Sequence, residues 1–187
     1  MKAYDLYKKL LGEFGPQRWW PAHSRFEVVV GALLTQNTNW KNVEKAIANL
    51  KAAKKLSPRA LLETGDRELE TLIRPSGFYR QKAQRLRLLS ERYAAFEKRR
   101  RPPSRDELLS IKGVGRETAD SILLYAYGRP FFVIDAYTRR FCFAHGIFEG
   151  KDYEDYRAYF ESSLPRSVPL YKEYHALIVE WGKRNRG

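Results

Sequence analysis

Two stretches of this chain could do chemistry together, a glycine-marked turn and an aspartate that follows it. Leu108 to Ala119 reads LLSIKGVGRETA, with Gly113 and Gly115 between two segments of helical apolar spacing. Such a spacing predicts a tight hairpin joining two helices, with backbone conformations open to glycine and costly for other residues. The second helix would begin with free amides, and those amides can bind a phosphate oxygen. A phosphate contact of this kind positions a nucleic acid without reading its sequence; an ordinary helix–helix turn is the plainer alternative. Asp135 lies in Phe132-Val133-Ile134-Asp135-Ala136-Tyr137-Thr138, after an apolar run and just before a helix. An aspartate there is most simply an N-cap. A carboxylate at a helix mouth is also suited to stabilising positive charge developing on a sugar, or to activating water.

The composition says what such groups would face. Lys+Arg number 35 against 22 Asp+Glu in 187 residues, a net charge of +13. That self-repulsion is relieved by an anionic partner, of which nucleic acid is the commonest, unless the charge serves solubility or heat resistance. With 43% hydrophobic and 14% aromatic residues the chain can bury a proper core, which excludes wholesale disorder. Cys142 is the one cysteine, so a disulfide framework, a Cys-rich zinc site and a four-cysteine iron–sulfur cluster are excluded. No run approaches the ~18 apolar residues of a membrane span, and the start, MKAYDLYKKLL, lacks a signal-peptide core. A soluble intracellular protein is expected.

The elements that must position these residues read as helices. Arg25 to Leu34 is apolar at helical length once Glu27 is put on an exposed face, and Val43, Ala46, Ile47 and Leu50 keep the i, i+3, i+4, i+7 spacing. Ser57-Pro58 opens a helix as cap and first residue. Another runs from Asp66 through Leu72, and Gly77 then breaks the chain. A long helix covers Gln81 to Phe96, and Lys98 to Pro103 (KRRRPP) forms a basic linker whose arginines Arg99, Arg100 and Arg101 are solvated. A short helix ends near Ser110, another spans Arg116 to about Tyr127, and Phe131 to Ile134 connects to the last helices, near Tyr153–Ser163 and Tyr171–Lys183. His145 and His175 lack metal-ligand spacing and read as surface or core histidines. The fold class is all-α, with roughly ten helices.

With these residues in place the chain resembles the helix-hairpin-helix (endonuclease III-like) DNA glycosylase superfamily. The match rests on the hairpin Gly113-Val114-Gly115, the segment Gly128-Arg129-Pro130 and Asp135, in that order. Leu33-Leu34-Thr35-Gln36-Asn37-Thr38 and Ser76-Gly77-Phe78-Tyr79-Arg80-Gln81-Lys82-Ala83 are similar to two further segments of that family. Bifunctional members carry a lysine nucleophile two residues after the second hairpin glycine. Here that residue is Glu117, which cannot form an imine, and Lys112 is not the equivalent position. Within the superfamily, Trp19-Trp20-Pro21 and Glu117-Thr118-Ala119-Asp120 look most like the cluster-free 3-methyladenine DNA glycosylase III branch.

The resemblance implies two helical subdomains with a DNA-binding cleft between them. One covers 24–130 with the hairpin at 111–115, and the other combines 1–23 with 131–187. It implies base flipping and hydrolysis of the N-glycosidic bond of an alkylated purine in base excision repair, with Asp135 catalytic and no lysine-based lyase step. Trp19, Trp20, Pro21, Trp40 and Glu117 would form the base pocket, where a cationic base stacks well on indole. The loop at Gln36 and Asn37 would fill the gap left in the stack, and Phe78 would wedge against the opposite strand unless it is a core aromatic. Lys112, Gly113, Val114, Gly115, Arg116 and Thr118 would meet DNA. Carbonyls of Leu109, Ile111 and Val114 could hold Na+ or K+; no other cofactor is expected. The implied partner is double-stranded DNA with damaged bases, bound by a monomer in the cytoplasm at the nucleoid. A uracil/thymine or oxidised-base glycosylase, or a DNA-binding protein without catalysis, remain the alternatives.

Overall fold

The computed structural model describes residues 2–99 and 101–185, and among these every regular element is helical. In chain order they are α1 (Ala3–Phe14), α2 (Arg25–Leu34), α3 (Trp40–Ala52), α4 (Pro58–Glu63), α5 (Asp66–Ile73), a 3₁₀ turn (Arg74–Ser76), α6 (Tyr79–Lys98), α7 (Arg105–Leu109), α8 (Arg116–Ser121), a π turn (Ile122–Ala126), α9 (Ala136–His145), α10 (Tyr153–Ser163) and α11 (Val168–Arg184). The helix expected from Arg116 to Tyr127 therefore changes pitch at Ile122. The chain divides into a central unit, Ala22–Ile122, and a terminal unit of the residues up to Pro21 with those from Leu123 onward.

The central unit forms around α2, whose residues Phe26 to Leu34 are all buried, with α3, α6 and α8 packed on it. A helix apolar on nearly every side belongs inside a domain. Glu27 is a correction to the expected exposed face. It is 3% exposed, with its carboxylate 2.6 Å from Lys51 Nζ and accepting the His23 N–H at 3.0 Å. The partner cation sits on the next helix, out of reach of any periodicity within α2. Side-chain caps fix the helix starts: Ser24 accepts from the Glu27 N–H, Asn39 from Asn42 and Ser57 from Ala60. Each such cap contributes about 1 kcal/mol.

In the basic linker Arg99 and Arg101 are exposed, as expected, and form ion pairs at the surface. Arg99 and Arg101 both donate to Glu107, at 2.7 and 3.0 Å, while Glu107 closes a capping box with Ser104 at the start of α7. The Arg101 bond, then the Ser104 backbone and Arg99, bring the Glu107 carboxyl down to about 2. Arg100 lies outside the described residues.

The terminal unit has an aromatic core. Phe132 stacks on Phe160 with centroids 4.2 Å apart, and Tyr171 and Tyr174 meet Phe132 edge-on. The Tyr174 hydroxyl donates to the Ala3 carbonyl at 2.7 Å, which ties α1 onto α11. α9 lies against α11, and a Cβ at Gly182 would run into the Tyr137 ring.

Candidate active site

In the central unit the hairpin is Ser110–Gly115, closed by the Val114 N–H donating to the Ile111 carbonyl at 3.0 Å. Gly113 has φ +90, and a Cβ there would overlap the Arg85 methylenes, so both conformation and space demand glycine. Gly115 departs from expectation. Its φ of −88 and ψ of −180 are extended backbone that any residue adopts, and nothing lies within 4 Å of a Cβ built there. The open side of Gly115, not its backbone angles, suits a close approach from outside. α7 and α8, which flank the turn, are clamped by a bidentate pair: Arg105 Nε and Nη2 reach the buried Asp120 carboxylate at 2.7 and 3.1 Å. Lys112, Gly115, Arg116 and Glu117 are exposed, whereas Val114 and Thr118 are buried.

Two loops stand beside the hairpin within this unit. Gln36 donates from Nε2 to the Gly113 carbonyl and to Thr118 Oγ1, both at 2.9 Å, and its Oε1 accepts from Arg85 at 2.9 Å. Gln36 is thus a brace between loop and hairpin. The neighbouring Asn37, with φ +52, is the exposed tip of that loop. Asparagine tolerates this left-handed conformation better than most residues. Phe78, at the start of α6, has φ +45 and is 65% exposed, so it is not a core aromatic. Lys82 ties the two loops together. Its Nζ donates to the carbonyls of Leu34 at 2.8 Å and Ser76 at 2.6 Å, and the side chain is 1% exposed.

In the terminal unit Asp135 caps α9 as its sequence context predicts. Its Oδ1 accepts the Thr138 N–H at 2.7 Å and the Thr138 hydroxyl at 2.9 Å. The other oxygen, Oδ2, lies 3.3 Å from His175 Nε2. Burial alone would push this carboxyl up, but the His175 contact and the two Thr138 bonds bring it below the usual carboxylate range. His175 Nδ1 is 2.7 Å from the Tyr125 hydroxyl, and the Tyr125 ring packs on Trp20 with centroids 5.3 Å apart. Trp19 and Trp20 are themselves 5.3 Å apart, and the arm before them is fastened by the Gln17 N–H donating to Glu173. His175 is therefore no plain core histidine: it sits against the capping carboxylate, as a base-stacking candidate sits against its tyrosine. His145 is structural, bonded through Nδ1 to the Phe141 carbonyl at 3.0 Å and packed on Trp181.

Residues 30–166 match the model of the HhH-GPD superfamily of base excision DNA repair proteins. The chain belongs to this superfamily. Among its HhH-GPD relatives is a Methanocaldococcus jannaschii protein provisionally named a DNA repair glycosylase, 50% identical over 97% of this chain and 87% of its own length. Endonuclease III of Thermotoga maritima is 32% identical over 85% of this chain and 73% of its own. The solved Helicobacter pylori 3-methyladenine DNA glycosylase, in complex with 1,N6-ethenoadenine, superposes with a TM-score of 0.88 at 32% identity, covering all of both chains.

Against the HhH-GPD pattern, each unit brings its own predicted residues together. The central unit gathers Gln36, Asn37, Phe78, the hairpin and the exposed Glu117, and holds Trp40 as the first, half-buried residue of α3. The terminal unit gathers Asp135, Trp19, Trp20 and the exposed Pro21. Sequence reasoning missed Tyr125 and His175 as site residues, and missed Lys82 as the link between the loops. Among the described residues no group of three His, Cys, Asp or Glu side chains could hold a metal ion, and no helix is long and apolar enough to cross a membrane.

Proposed function

We propose that this HhH-GPD protein is a monofunctional DNA glycosylase that excises alkylated purines, 3-methyladenine first among them. The observation that carries the reading is a well-held carboxylate at Asp135 combined with Glu117 at the position of the lysine nucleophile. Identity of 32% along the whole chain with the Helicobacter pylori 3-methyladenine enzyme supports the substrate class. Lys112, Arg116 and the hairpin amides take the phosphates of duplex DNA. Asn37 enters the vacated stack while Gln36 braces its loop, and Phe78 wedges the opposite strand. The carbonyls of Leu109, Ile111 and Val114 suit Na+ or K+, since the Ile111 oxygen keeps a second lone pair after accepting the Val114 N–H. Such an ion would add positive charge where a phosphate docks.

Trp19, Trp20, Pro21, Trp40 and Glu117 are assigned to the damaged base. A cationic base leaves with the electron pair of its C1′–N bond and becomes neutral, so little acid catalysis is required. Asp135 stabilises the oxocarbenium-like sugar through its negative charge. Water then bonds to C1′ and releases a proton. The enzyme is assigned as a monomer acting in the cytoplasm at the nucleoid.

Chromatography of bases released from methylated DNA tests the reading. Free 3-methyladenine supports it. Release of uracil alone from a mismatched duplex would replace it with a neutral-pyrimidine glycosylase, and binding without release would leave a DNA-binding protein without catalysis.

A further inference from the structure

A chain of contacts in the terminal unit runs past the catalytic aspartate and ends in groups that its chemistry does not yet use. Oδ1 of Asp135 is saturated by the two Thr138 donors, so Oδ2 is the oxygen left to face a sugar cation. His175 stands behind that oxygen, 7% exposed, with Nε2 at 3.3 Å and without an aligned hydrogen bond among the described residues. The other ring nitrogen is occupied by Tyr125 at 2.7 Å. A buried Tyr125, close to Asp135 and Glu173, keeps its phenol protonated to well above neutrality, which makes the hydroxyl a donor. A hydroxyl donated to Nδ1 places the proton of a neutral imidazole on Nε2, towards the carboxylate.

We propose that His175, set by Tyr125, is a positioning residue for Asp135: its neutral form orients Oδ2 and leaves the carboxylate its full charge, whereas its protonated form pairs with that charge and weakens it. The proposal rests on the assignment of Asp135 above. The titratable and charged groups packed around the imidazole are Asp135 at the start of α9 and Tyr125 in the π turn. On α11 itself Lys172, whose Nζ is 3.4 Å from the Tyr125 carbonyl, and Glu173 stand one turn or less away. From α1, Tyr7 packs on Tyr174 and also interacts with Glu173. A fixed positive charge at 3.3 Å would cancel the field that the sugar cation requires.

The test is single-turnover excision from methylated DNA between pH 5 and 8.5, with the uncatalysed loss subtracted. In the wild-type enzyme the rate should rise with pH through one inflection as His175 gives up its proton. His175→Phe keeps a ring but no polar nitrogen beside Oδ2 and should lose about tenfold, the low end for a close but unaligned contact to a charged group. His175→Gln restores a donor that cannot titrate. It should recover part of that loss and abolish the inflection, an outcome that mere packing would not produce. If His175→Phe fails to fold, the pH profile of His175→Gln decides alone. A flat wild-type profile, or an inflection that survives in His175→Gln, overturns the proposal. Asp135→Asn run alongside separates the two levels: full activity there removes the Asp135 assignment itself, whereas an inactive Asp135→Asn with unaffected His175 variants removes only the role of His175. Proton NMR of the His175 ring adds a readout without substrate. Its titration midpoint should fall in Asp135→Asn, and an unmoved midpoint contradicts the coupling.

Discussion

Replacing Lys82 by methionine removes a strut whose contribution depends on pH in the unusual direction. The ammonium is 1% exposed and holds two carbonyls, Leu34 at 2.8 Å and Ser76 at 2.6 Å, from which the Gln36–Asn37 loop and the Phe78 turn hang. Burial, and then the positive charge of Arg85, lower its pKa from 10.5 to about 8. The neutral amine still has two N–H donors for its two carbonyls, so losing the proton relieves charge burial without breaking either bond. Methionine fills the volume but orphans both acceptors, at about 1–3 kcal/mol each, offset in part by the charge no longer buried at pH 7. Between pH 8 and 10.5 the unfolded chain keeps the Lys82 proton and the folded chain does not, so wild-type stability rises through this window. A shift of this size corresponds to about 3 kcal/mol at most. Urea unfolding at pH 7, 9 and 10 on both proteins reads the difference, in which other titrating groups cancel. The gap between wild type and Lys82→Met should widen as pH rises. A gap that narrows would instead mean that Lys82 works as a charge paired with an anionic partner.

Asp120→Ala breaks the buried pair with Arg105 that clamps α7 to α8 and should cost about 3–5 kcal/mol in urea unfolding; a loss under about 1 kcal/mol would mean the clamp is not structural. Abasic DNA treated with borohydride should give no covalent adduct, because Glu117 cannot form an imine; an adduct mapped to Lys112 would show a relocated nucleophile. Trp19→Ala and Trp40→Ala should each weaken excision by about 1–3 kcal/mol, the scale of stacking plus cation–π attraction. That loss should be larger for 3-methyladenine than for neutral hypoxanthine, and equal losses would assign both rings to packing.

Much of this architecture is local and therefore legible. α2 runs over Arg25–Leu34 as its apolar length predicts, because Ser24 supplies the cap just where the run begins. α4 starts at Pro58 behind Ser57 for the same reason. The hairpin and the Asp135 cap likewise depend on neighbours a few positions away. What escaped depends on residues far apart in the chain. Glu27 looked like an outward face because its cation, Lys51, is on another helix. His175 reads from the sequence as a surface or core histidine, because Tyr125 and Asp135 reach it only through the fold. Lys82 belongs to a family-like segment, but the two loop carbonyls that converge on it come together only in the fold, and the two hairpin glycines look alike although only Gly113 needs a positive φ.

In the proposed reaction Asp135 supplies negative charge to the sugar as the base departs. Asp135→Asn keeps an N-cap for α9, so its unfolding curve and its affinity for duplex DNA should stay close to wild type. Single-turnover release of 3-methyladenine by this variant is the direct measurement. The rate should fall by about a hundredfold or more, the scale of losing one preorganised electrostatic group. A rate within a fewfold of wild type, from a variant that folds and binds DNA normally, would contradict the account.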